Sequence, residues 1–353
     1  MRQMRMSHDE PLLAIDGLKT HFFTREGTVR AVDGVSLTVP RGKTVCVVGE
    51  SGCGKSVTAR SVLGLVDEPG RIIDGRIAWQ PGAGEPVDLT TLDPKGERMR
   101  RIRGGEISMV FQEPMASLSP MYTIGDQLIE TIRLHLPLGK EEARDRAVEQ
   151  LRRVGIPRPE ERLDAYSFQL SGGMCQRVMI AIALAADPAL LIADEPTTAL
   201  DVTTQARIID LLRDLQAETG MSVLFITHDL GVVAEIADEV VVMYLGTVVE
   251  RGGVDEIFHD PKHPYTNALL GSIPRMGAGA GRRLATIRGN VPHPSDRPAG
   301  CPFHPRCDAA IGGVCDVSDP PHIVFGEARS VRCVLHDDGA AVGGDFRVDG
   351  ERA

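Results

Sequence analysis

Residues Gly49–Ser56 read GESGCGKS, an uninterrupted match to the pattern G-x-x-x-x-G-K-S. They follow Lys43–Val48 (KTVCVV), a short apolar run typical of a buried strand in a parallel sheet. A helix is predicted to begin near Lys55. Glycines between a strand and a helix let backbone N–H groups approach and surround a phosphate group. The stretch therefore predicts a phosphate-binding loop.

The residue types in this loop suit a nucleoside triphosphate with its magnesium ion. We expect Lys55 to reach the β- and γ-phosphates and the Ser56 hydroxyl to ligate Mg²⁺. The loop residues expected to contact the nucleotide are Gly49, Ser51, Gly52, Cys53, Gly54, Lys55, Ser56 and Val57. Several families share such a loop, so it does not by itself identify the protein.

Apolar runs of strand length alternate with helical patterns along the chain. Four runs of strand character come first: Leu12–Ile15, Leu18–Phe23, Val29–Val32 and Val35–Val39. Ala189–Ala193 and Val223–Thr227 are two further buried-strand candidates, and Lys140–Val154 has the pattern of a charged amphipathic helix. Strands that alternate with helices predict an α/β layer architecture.

Two carboxylates end the apolar run Leu190–Glu195 (LLIADE). A strand that ends there places them at the carboxyl edge of the sheet, beside the phosphate loop. Asp194 is the expected carboxylate on the Mg²⁺ side, and Glu195 can polarise a water for attack on the γ-phosphate. Simple solvation also explains two acids at a strand end, but the complete phosphate loop favours catalysis.

A third motif, LSGGMCQR (Leu170–Arg177), precedes a predicted helix over Met174–Ala186. Ser171, Gly172 and Gly173 would open that helix with free N–H groups and a positive dipole end, which binds anions. The motif resembles the signature of ABC ATPases, which contacts ATP held by the opposing subunit. The resemblance implies a RecA-like core, an antiparallel β subdomain and a helical subdomain at about 113–170, all within a nucleotide-binding domain at 1–275.

The remaining family landmarks occur in order along the chain. Gln112 resembles the Q-loop glutamine, Thr198–Asp201 (TALD) the D-loop, and His228 the switch histidine. Phe22 resembles the aromatic residue that stacks on adenine, with Phe23 as its competitor. The catalytic set implied by the resemblance is Glu195, His228 and Gln112, the implied Mg²⁺ contacts are Ser56, Gln112 and Asp194, and the implied D-loop contact to nucleotide is Asp201.

Three further segments resemble the ATPases of dipeptide and oligopeptide importers, a family that also handles nickel. They are FQEPMASLSPMYTIGDQ (Phe111–Gln127), HPYTNALLGSIP (His263–Pro274) and GNVPHPSDRPAGCPFHPRC (Gly289–Cys307). The resemblance implies peptide cargo, or nickel or another peptide-like solute. It also implies a second homologous ATPase, two transmembrane permease subunits, an extracytoplasmic solute-binding protein, and a position at the cytoplasmic face of the inner membrane.

Four cysteines crowd into a predicted C-terminal domain at 276–353, which begins with the expected flexible linker Met276–Arg283: Cys301, Cys307, Cys315 and Cys333. Four thiolates suit zinc or an iron–sulfur cluster, although the spacing lacks the C-x2-C pairs of zinc ribbons, and four unrelated buried thiols are the alternative. The importer resemblance implies a structural 4Fe–4S cluster. His304, His322 and His336 are possible substitute ligands.

Charge and hydropathy narrow the class of protein. A net charge of −10 over 353 residues argues against a nucleic-acid partner. The basic cluster Arg98–Arg103 is expected to be a solvated loop, with a phosphate or partner contact as the alternative. The most apolar stretch, Val178–Ala193, is interrupted by Asp187 and is too short to span a membrane. We therefore expect a cytosolic protein that meets the membrane through partners.

Two other functions are alternatives to the transporter. The first is an ABC ATPase of DNA repair or translation, which would usually carry two cassettes or a coiled coil. The second is an iron–sulfur electron carrier, which would be expected to show a second redox motif.

Overall fold

The structure, a computed structural model, describes residues 11–82, 84–198, 200–273, 287–326 and 328–337. Its strands are β1 (Leu13–Thr24), β2 (Gly27–Val39), β3 (Thr44–Val48), β4 (Gly70–Trp79), β5 (Val87–Asp88), β6 (Ile107–Val110), β7 (Leu190–Asp194), β8 (Ser222–Thr227), β9 (Glu239–Tyr244), β10 (Thr247–Gly253), β11 (His322–Phe325) and β12 (Arg329–Arg332). Its helices are α1 (Lys55–Val62), α2 (Glu97–Arg101), α3 (Pro114–Ser117), α4 (Ile124–His135), α5 (Lys140–Arg153), α6 (Pro159–Arg162), α7 (Gly172–Ala183), α8 (Val202–Thr219), α9 (Leu230–Ile236), α10 (Val254–His259) and α11 (Pro264–Gly271).

The larger sheet has eight strands in the order β11-β12-β10-β9-β3-β8-β7-β6. Strands β9, β3, β8, β7 and β6 are parallel to their neighbours in this series, and helices pack on them. The predicted α/β architecture is therefore confirmed. The carboxyl ends of β3, β7 and β8 open onto one edge, so the phosphate loop, the two carboxylates and His228 meet there.

A separate antiparallel sheet has the order β2-β1-β4-β5. The four short runs expected between residues 12 and 39 form only two long strands, because the register shifts instead of the strand ending. The shifts lie between Ile15 and Leu18 and around Gly34 on the paired strand. Such bulges bend a strand without terminating it, which is why glycine punctuation alone suggested extra strand ends.

Residues 113–170, the segment assigned by resemblance to a helical subdomain, contain α3 to α6, and α4 and α5 pack against α7. Helix α4 begins at a capping box in which Thr123 and Asp126 each accept from the other's backbone N–H. Ile124, Leu128 and Ile132 follow at four-residue spacing and are fully buried, so one face of α4 supplies the core.

The arginines of the basic cluster at 98–103 are mostly exposed, as expected, but the segment is not a loop, so that part of the expectation was wrong. The segment forms α2 and the turn that follows, because Met99 and Ile102 lie three residues apart and are both buried. The guanidinium groups are engaged by neighbours: Arg98 pairs with Glu106, and Arg103 donates to the Leu63 carbonyl at 2.7 Å. The charge run is thus the outer face of a helical turn.

The C-terminal region continues the larger sheet. β12 pairs with β10 through Glu250 and Arg251, and β11 pairs with β12. Tyr244, Tyr265 and Phe303 stack edge-on or tilted across the junction at ring distances of 4.8 to 5.3 Å. The predicted linker Met276–Arg283 lies outside the described residues, and the division of the chain at 275/276 stays a prediction. Among the helices that the structure describes, none has the length and apolar character to cross a bilayer.

Candidate functional site

The phosphate loop is held in one shape by close backbone neighbours. A Cβ at Gly49 would lie 2.2 Å from the Met243 carbonyl oxygen, and one at Gly54 would lie 2.1 Å from the Ala31 carbonyl oxygen. Gly54 also has φ +97, a conformation that disfavours other residues. The loop is therefore wedged between β9 and β2, and only glycine fits at these two contact points.

Lys55 lies inside the loop, and its side chain is almost entirely buried. Its ammonium donates to the carbonyl oxygens of Gly49 at 2.7 Å and Glu50 at 3.2 Å, and its third N–H faces the Cys53 sulfur at 3.8 Å. An ammonium has three donors, and a thiol is only a weak acceptor. The third donor is therefore the one that a phosphate oxygen can take.

Ser56 and Asp194 meet at the same edge, where the Ser56 hydroxyl donates to Asp194 Oδ1 at 2.8 Å. Burial raises the pKa of Asp194, and the hydrogen bond from Ser56 partly offsets that shift. Mg²⁺ prefers such hard oxygen donors, and its charge would favour the ionised carboxylate. These two side chains fit a magnesium ion bound beside the phosphate loop.

Glu195 follows Asp194 but faces the open side of the site. Its backbone has φ +46, and its N–H donates to the Ile226 carbonyl at 2.9 Å, which fixes the turn. Three side chains converge on its Oε2: Gln112 Nε2 at 3.2 Å, Thr198 Oγ1 at 2.9 Å and His228 Nδ1 at 3.3 Å. The other two predicted catalytic side chains, Gln112 and His228, therefore both contact the Glu195 carboxylate.

Most of these groups line one cavity of about 530 Å³, whereas Gly49 and Asp194 lie outside its lining. Its lining consists of Ala31, Ser51, Gly52, Cys53, Gly54, Lys55, Ser56, Val57, Gln112, Glu195, Thr198 and His228. Sequence reasoning missed Ala31, which lacks any distinguishing chemistry, and missed that the Thr198 hydroxyl binds Glu195. The only signal for Thr198 was its position three residues after that carboxylate.

Other predicted residues lie away from this cavity. Phe22 packs on Gly70, where a Cβ would come within 2.5 Å of its ring, and Phe23 carries the Arg71 guanidinium 4.3 Å from its ring centre. Neither ring lines the cavity, so adenine stacking stays a prediction.

The signature and D-loop residues cap helices on the exposed surface. Ser171 Oγ accepts from the Met174 N–H at 3.4 Å at the start of α7, and Gly172 and Gly173 form its first turn. Asp201 accepts from the Thr204 N–H at 3.0 Å at the start of α8. Helix α7 thus begins two residues earlier than expected, and Ser171 and Gly172 at its start are exposed.

The four C-terminal cysteines line a second cavity, of about 380 Å³, together with Phe303 and His304. Burial raises the pKa of Cys307 to about 11 and of Cys333 to about 12, and neighbouring cysteines add to both shifts. Within the described ranges, no three His, Cys, Asp or Glu side chains are grouped closely enough to hold a metal ion. The described part of the chain therefore shows no preformed metal site, for zinc or for the expected cluster.

The three candidate histidine ligands have other surroundings. His304 Nδ1 lies 2.9 Å from the Cys301 carbonyl oxygen, and His336 Nε2 lies 2.9 Å from the Lys262 carbonyl oxygen. His322 is exposed on β11. His304 alone of the three lines the cysteine cavity.

Comparison with known proteins identifies the family. Residues 32–198 match the model of the ABC transporter family, and residues 249–315 match the C-terminal region of oligopeptide/dipeptide transporters. The chain is 49% identical over 331 residues to the oligopeptide transport ATP-binding protein AppD of Bacillus subtilis, covering 94% of this chain and 98% of that protein. The chain belongs to the oligopeptide/dipeptide ABC transporter family, as an ATP-binding subunit.

Further relatives agree with this assignment to the oligopeptide/dipeptide ABC transporter family. The dipeptide transport ATP-binding protein DppD of Escherichia coli is 48% identical over 322 residues, covering 91% of this chain and 96% of that protein. A dimeric ATP-binding cassette solved in a post-hydrolysis state with ADP and Pi superposes with a TM-score of 0.60 at 28% identity, covering 69% of this chain and 98% of that chain. The predicted ABC ATPase is confirmed as to family and activity class.

Proposed function

We propose that this ATPase powers the import of dipeptides or oligopeptides across the cytoplasmic membrane. The observation that carries the proposal is the similarity of nearly the whole chain, C-terminal region included, to transport proteins named for those cargoes. The chain would lie at the cytoplasmic face of the inner membrane beneath two permease subunits. An extracytoplasmic solute-binding protein would select the peptide.

The geometry of the described cavity supports hydrolysis there. Lys55 would neutralise charge on the phosphates, and Ser56 and Asp194 would hold Mg²⁺, which stabilises the charge that develops on the phosphate oxygens. Glu195 would accept a proton from the attacking water as the new oxygen–phosphorus bond forms. The bond from the γ-phosphorus to its bridging oxygen breaks, and ADP leaves with that electron pair.

The residues around Glu195 would position this base and do not replace it. Gln112, Thr198 and His228 all contact Oε2, and the structure's described part gives no hydrogen bond to Oε1. The oxygen Oε1 is therefore the one available to the water. Because one carboxylate oxygen is held by three side chains, the other has a defined direction before the nucleotide arrives.

A second homologous ATPase would complete the site. Ser171 and Gly172 are exposed at the start of α7, and Asp201 is exposed at the start of α8. A helix N-terminus with free N–H groups can bind the γ-phosphate of a nucleotide held by the opposing subunit. Dimer closure on ATP would then move the helical segment 113–170 and the permease subunits in contact with it.

The cysteine cavity is proposed to hold a structural 4Fe–4S cluster through Cys301, Cys307, Cys315 and Cys333. The proposal is supported by the presence of all four cysteines in the lining of one cavity and by the Ile311 N–H, which donates to the Cys315 sulfur at 3.3 Å. A cluster is larger than a single ion, so its ligands stand farther apart than those of zinc. When bound, it would join the strands and turns of a region with few apolar residues.

Anaerobic purification with iron, sulfide and zinc analysis tests the cluster. Wild-type protein is expected to contain about four irons per chain and to absorb broadly in the visible range. Cys301→Ser should lose both, whereas Cys175→Ala, a buried cysteine of α7, should keep both. Metal-free wild-type protein, or one zinc per chain, would refute the cluster and leave the ATPase assignment in place.

Cargo is tested by peptide uptake in cells whose own copy of this gene is replaced by a variant. Lys55→Ala should abolish uptake of labelled dipeptides and oligopeptides, and Lys95→Ala, an exposed lysine outside the cavity, should not. Normal peptide uptake with lost nickel uptake in Lys55→Ala would refute peptide as the cargo.

A further inference from the structure

An arginine of the C-terminal region reaches into the phosphate loop. Arg306 precedes the cavity-lining Cys307, yet its guanidinium binds the carboxylate of Glu50, the second residue of GESGCGKS. The contact is bidentate, at 2.6 Å from Nη1 to Oε2 and 3.0 Å from Nη2 to Oε1. The Arg306 side chain is 4% exposed and that of Glu50 is 26% exposed. Two regions separated by 256 residues are thus joined at the loop.

Arg306 is itself held in place by its surroundings. Its Nε donates to the Arg288 carbonyl at 2.9 Å, and its Nη1 lies 3.3 Å from the Tyr244 hydroxyl. The rings of Tyr244 and Phe303 lie 5.8 Å and 5.9 Å from the guanidinium carbon. Because several fixed groups hold the guanidinium, it presents its fork to Glu50 in one orientation.

Glu50 is also held through its backbone. Its N–H donates to the hydroxyl of Tyr265 on α11 at 2.9 Å, and its carbonyl accepts from Lys55 at 3.2 Å. The side chain, the N–H and the carbonyl of one loop residue are therefore all engaged. Two of these three contacts, those from Tyr265 and Arg306, come from the part of the chain that follows β10.

The charge of Glu50 makes its partner important. A carboxylate in a loop that receives a polyphosphate would repel the ligand, because like charges repel each other more strongly at a protein surface than in bulk water. Arg306 neutralises this charge and directs the carboxylate toward the C-terminal region. The ion pair therefore affects both the shape of the loop and its potential.

We propose that Arg306 is a positioning residue for the phosphate loop and that, through Glu50, it sets the affinity for nucleotide. The inference rests on the proposed role of this loop in binding the phosphates. It extends that role to a residue in the cysteine-containing region. The folding of that region is thereby linked to nucleotide binding, because the residue next to Cys307 holds the loop.

The test is the dissociation constant for a fluorescent ATP analogue, measured with kcat and KM for ATP, in the full-length protein. Arg306→Met should raise the dissociation constant at least about fivefold and change kcat at saturating ATP less. Arg306→Lys keeps the charge without the bidentate fork, so its affinity for nucleotide should lie between that of the wild type and that of Arg306→Met. Arg288→Met is the matched control, because its side chain is 81% exposed and pairs with Asp308 at the surface.

The decisive variant is Glu50→Gln in the Arg306→Met background. If Arg306 acts through Glu50, removing the repelling carboxylate should restore much of the lost affinity, which a merely structural role for Arg306 would not allow. Wild-type affinity in folded Arg306→Met, or additive losses in the double variant, would overturn the proposal. If Arg306→Met does not fold, wild-type affinity in Arg306→Lys would overturn it instead. Lys55→Ala distinguishes a failure of the Arg306 proposal from a failure of the phosphate-loop assignment. Undiminished nucleotide binding in Lys55→Ala would refute the loop assignment itself.

Discussion

The substitution Glu195→Gln replaces one carboxylate oxygen by an amide nitrogen and leaves the size of the side chain nearly unchanged. The contacts to Gln112, Thr198 and His228 lie between 2.9 and 3.3 Å from Oε2, so the side chain should keep its place. What the variant loses is the ability to accept a proton from water. Chemistry should therefore slow while nucleotide binding persists.

The expected loss is large because Asp194, the other carboxylate at this edge of the sheet, accepts from Ser56 and would ligate Mg²⁺. Glu195 is the sole acidic residue among the lining residues of the cavity in the described part of the chain. A positioned base contributes about 10²–10⁴-fold to a rate. At about 1.4 kcal/mol per tenfold, this corresponds to about 3 to 5 kcal/mol of transition-state stabilisation. We expect the upper half of that range.

Single-turnover phosphate release with enzyme in excess over ATP measures this step without product release. Glu235→Gln is the control, since that carboxylate is half-exposed on α9 and pairs with Arg213. Its rate should equal that of the wild type. If Glu195→Gln released phosphate within about tenfold of the wild-type rate, a positioned base at this residue would be refuted.

Three further substitutions test the site and the fold. Ser56→Ala removes the donor to Asp194 and one proposed Mg²⁺ ligand, so a Mg²⁺ titration of ATPase activity should shift to higher concentration; an unchanged titration would contradict the assignment. Thr198→Val removes the 2.9 Å bond to Glu195 and should lower kcat about tenfold or more, whereas Thr198→Ser should keep it. Burial lowers the pKa of His263 to about 3, so below about pH 6.5 the unfolded chain takes up a proton that the folded chain does not. Stability to urea should therefore fall by about 2 kcal/mol between pH 6.5 and 5, and His263→Asn, which can still accept from the Tyr265 N–H, should lack this loss.

Much of the fold was predictable because its signals are local. The phosphate loop, the strand before it and the acidic strand end are each contained in a few consecutive residues, and the strands β3, β7 and β8 begin and end within one residue of prediction. The helix at 97–101 was missed because surface arginines conceal the buried pair Met99 and Ile102. Hydrophobic spacing outweighed charge there.

The residues of the site also differ in whether the sequence predicts them. Gln112, Glu195 and His228 were predictable, Glu195 from the acidic strand end and the other two from the family resemblance. Each follows a strand of one parallel sheet, which brings them together. The pair of Glu50 and Arg306 was not predictable, since no short-range pattern marks two residues 256 positions apart. Contacts of this kind depend on how the C-terminal region folds back onto the cassette.

The pairing of β12 with β10 has a practical consequence for anyone who shortens this chain. A protein that ends after Gly253 would expose the backbone donors and acceptors of β10 that β12 now covers at Glu250 and Arg251. Open strand edges recruit other chains, so such a protein would tend to self-associate. A shortened protein should therefore retain the residues through Asp337, so that β12 still covers β10.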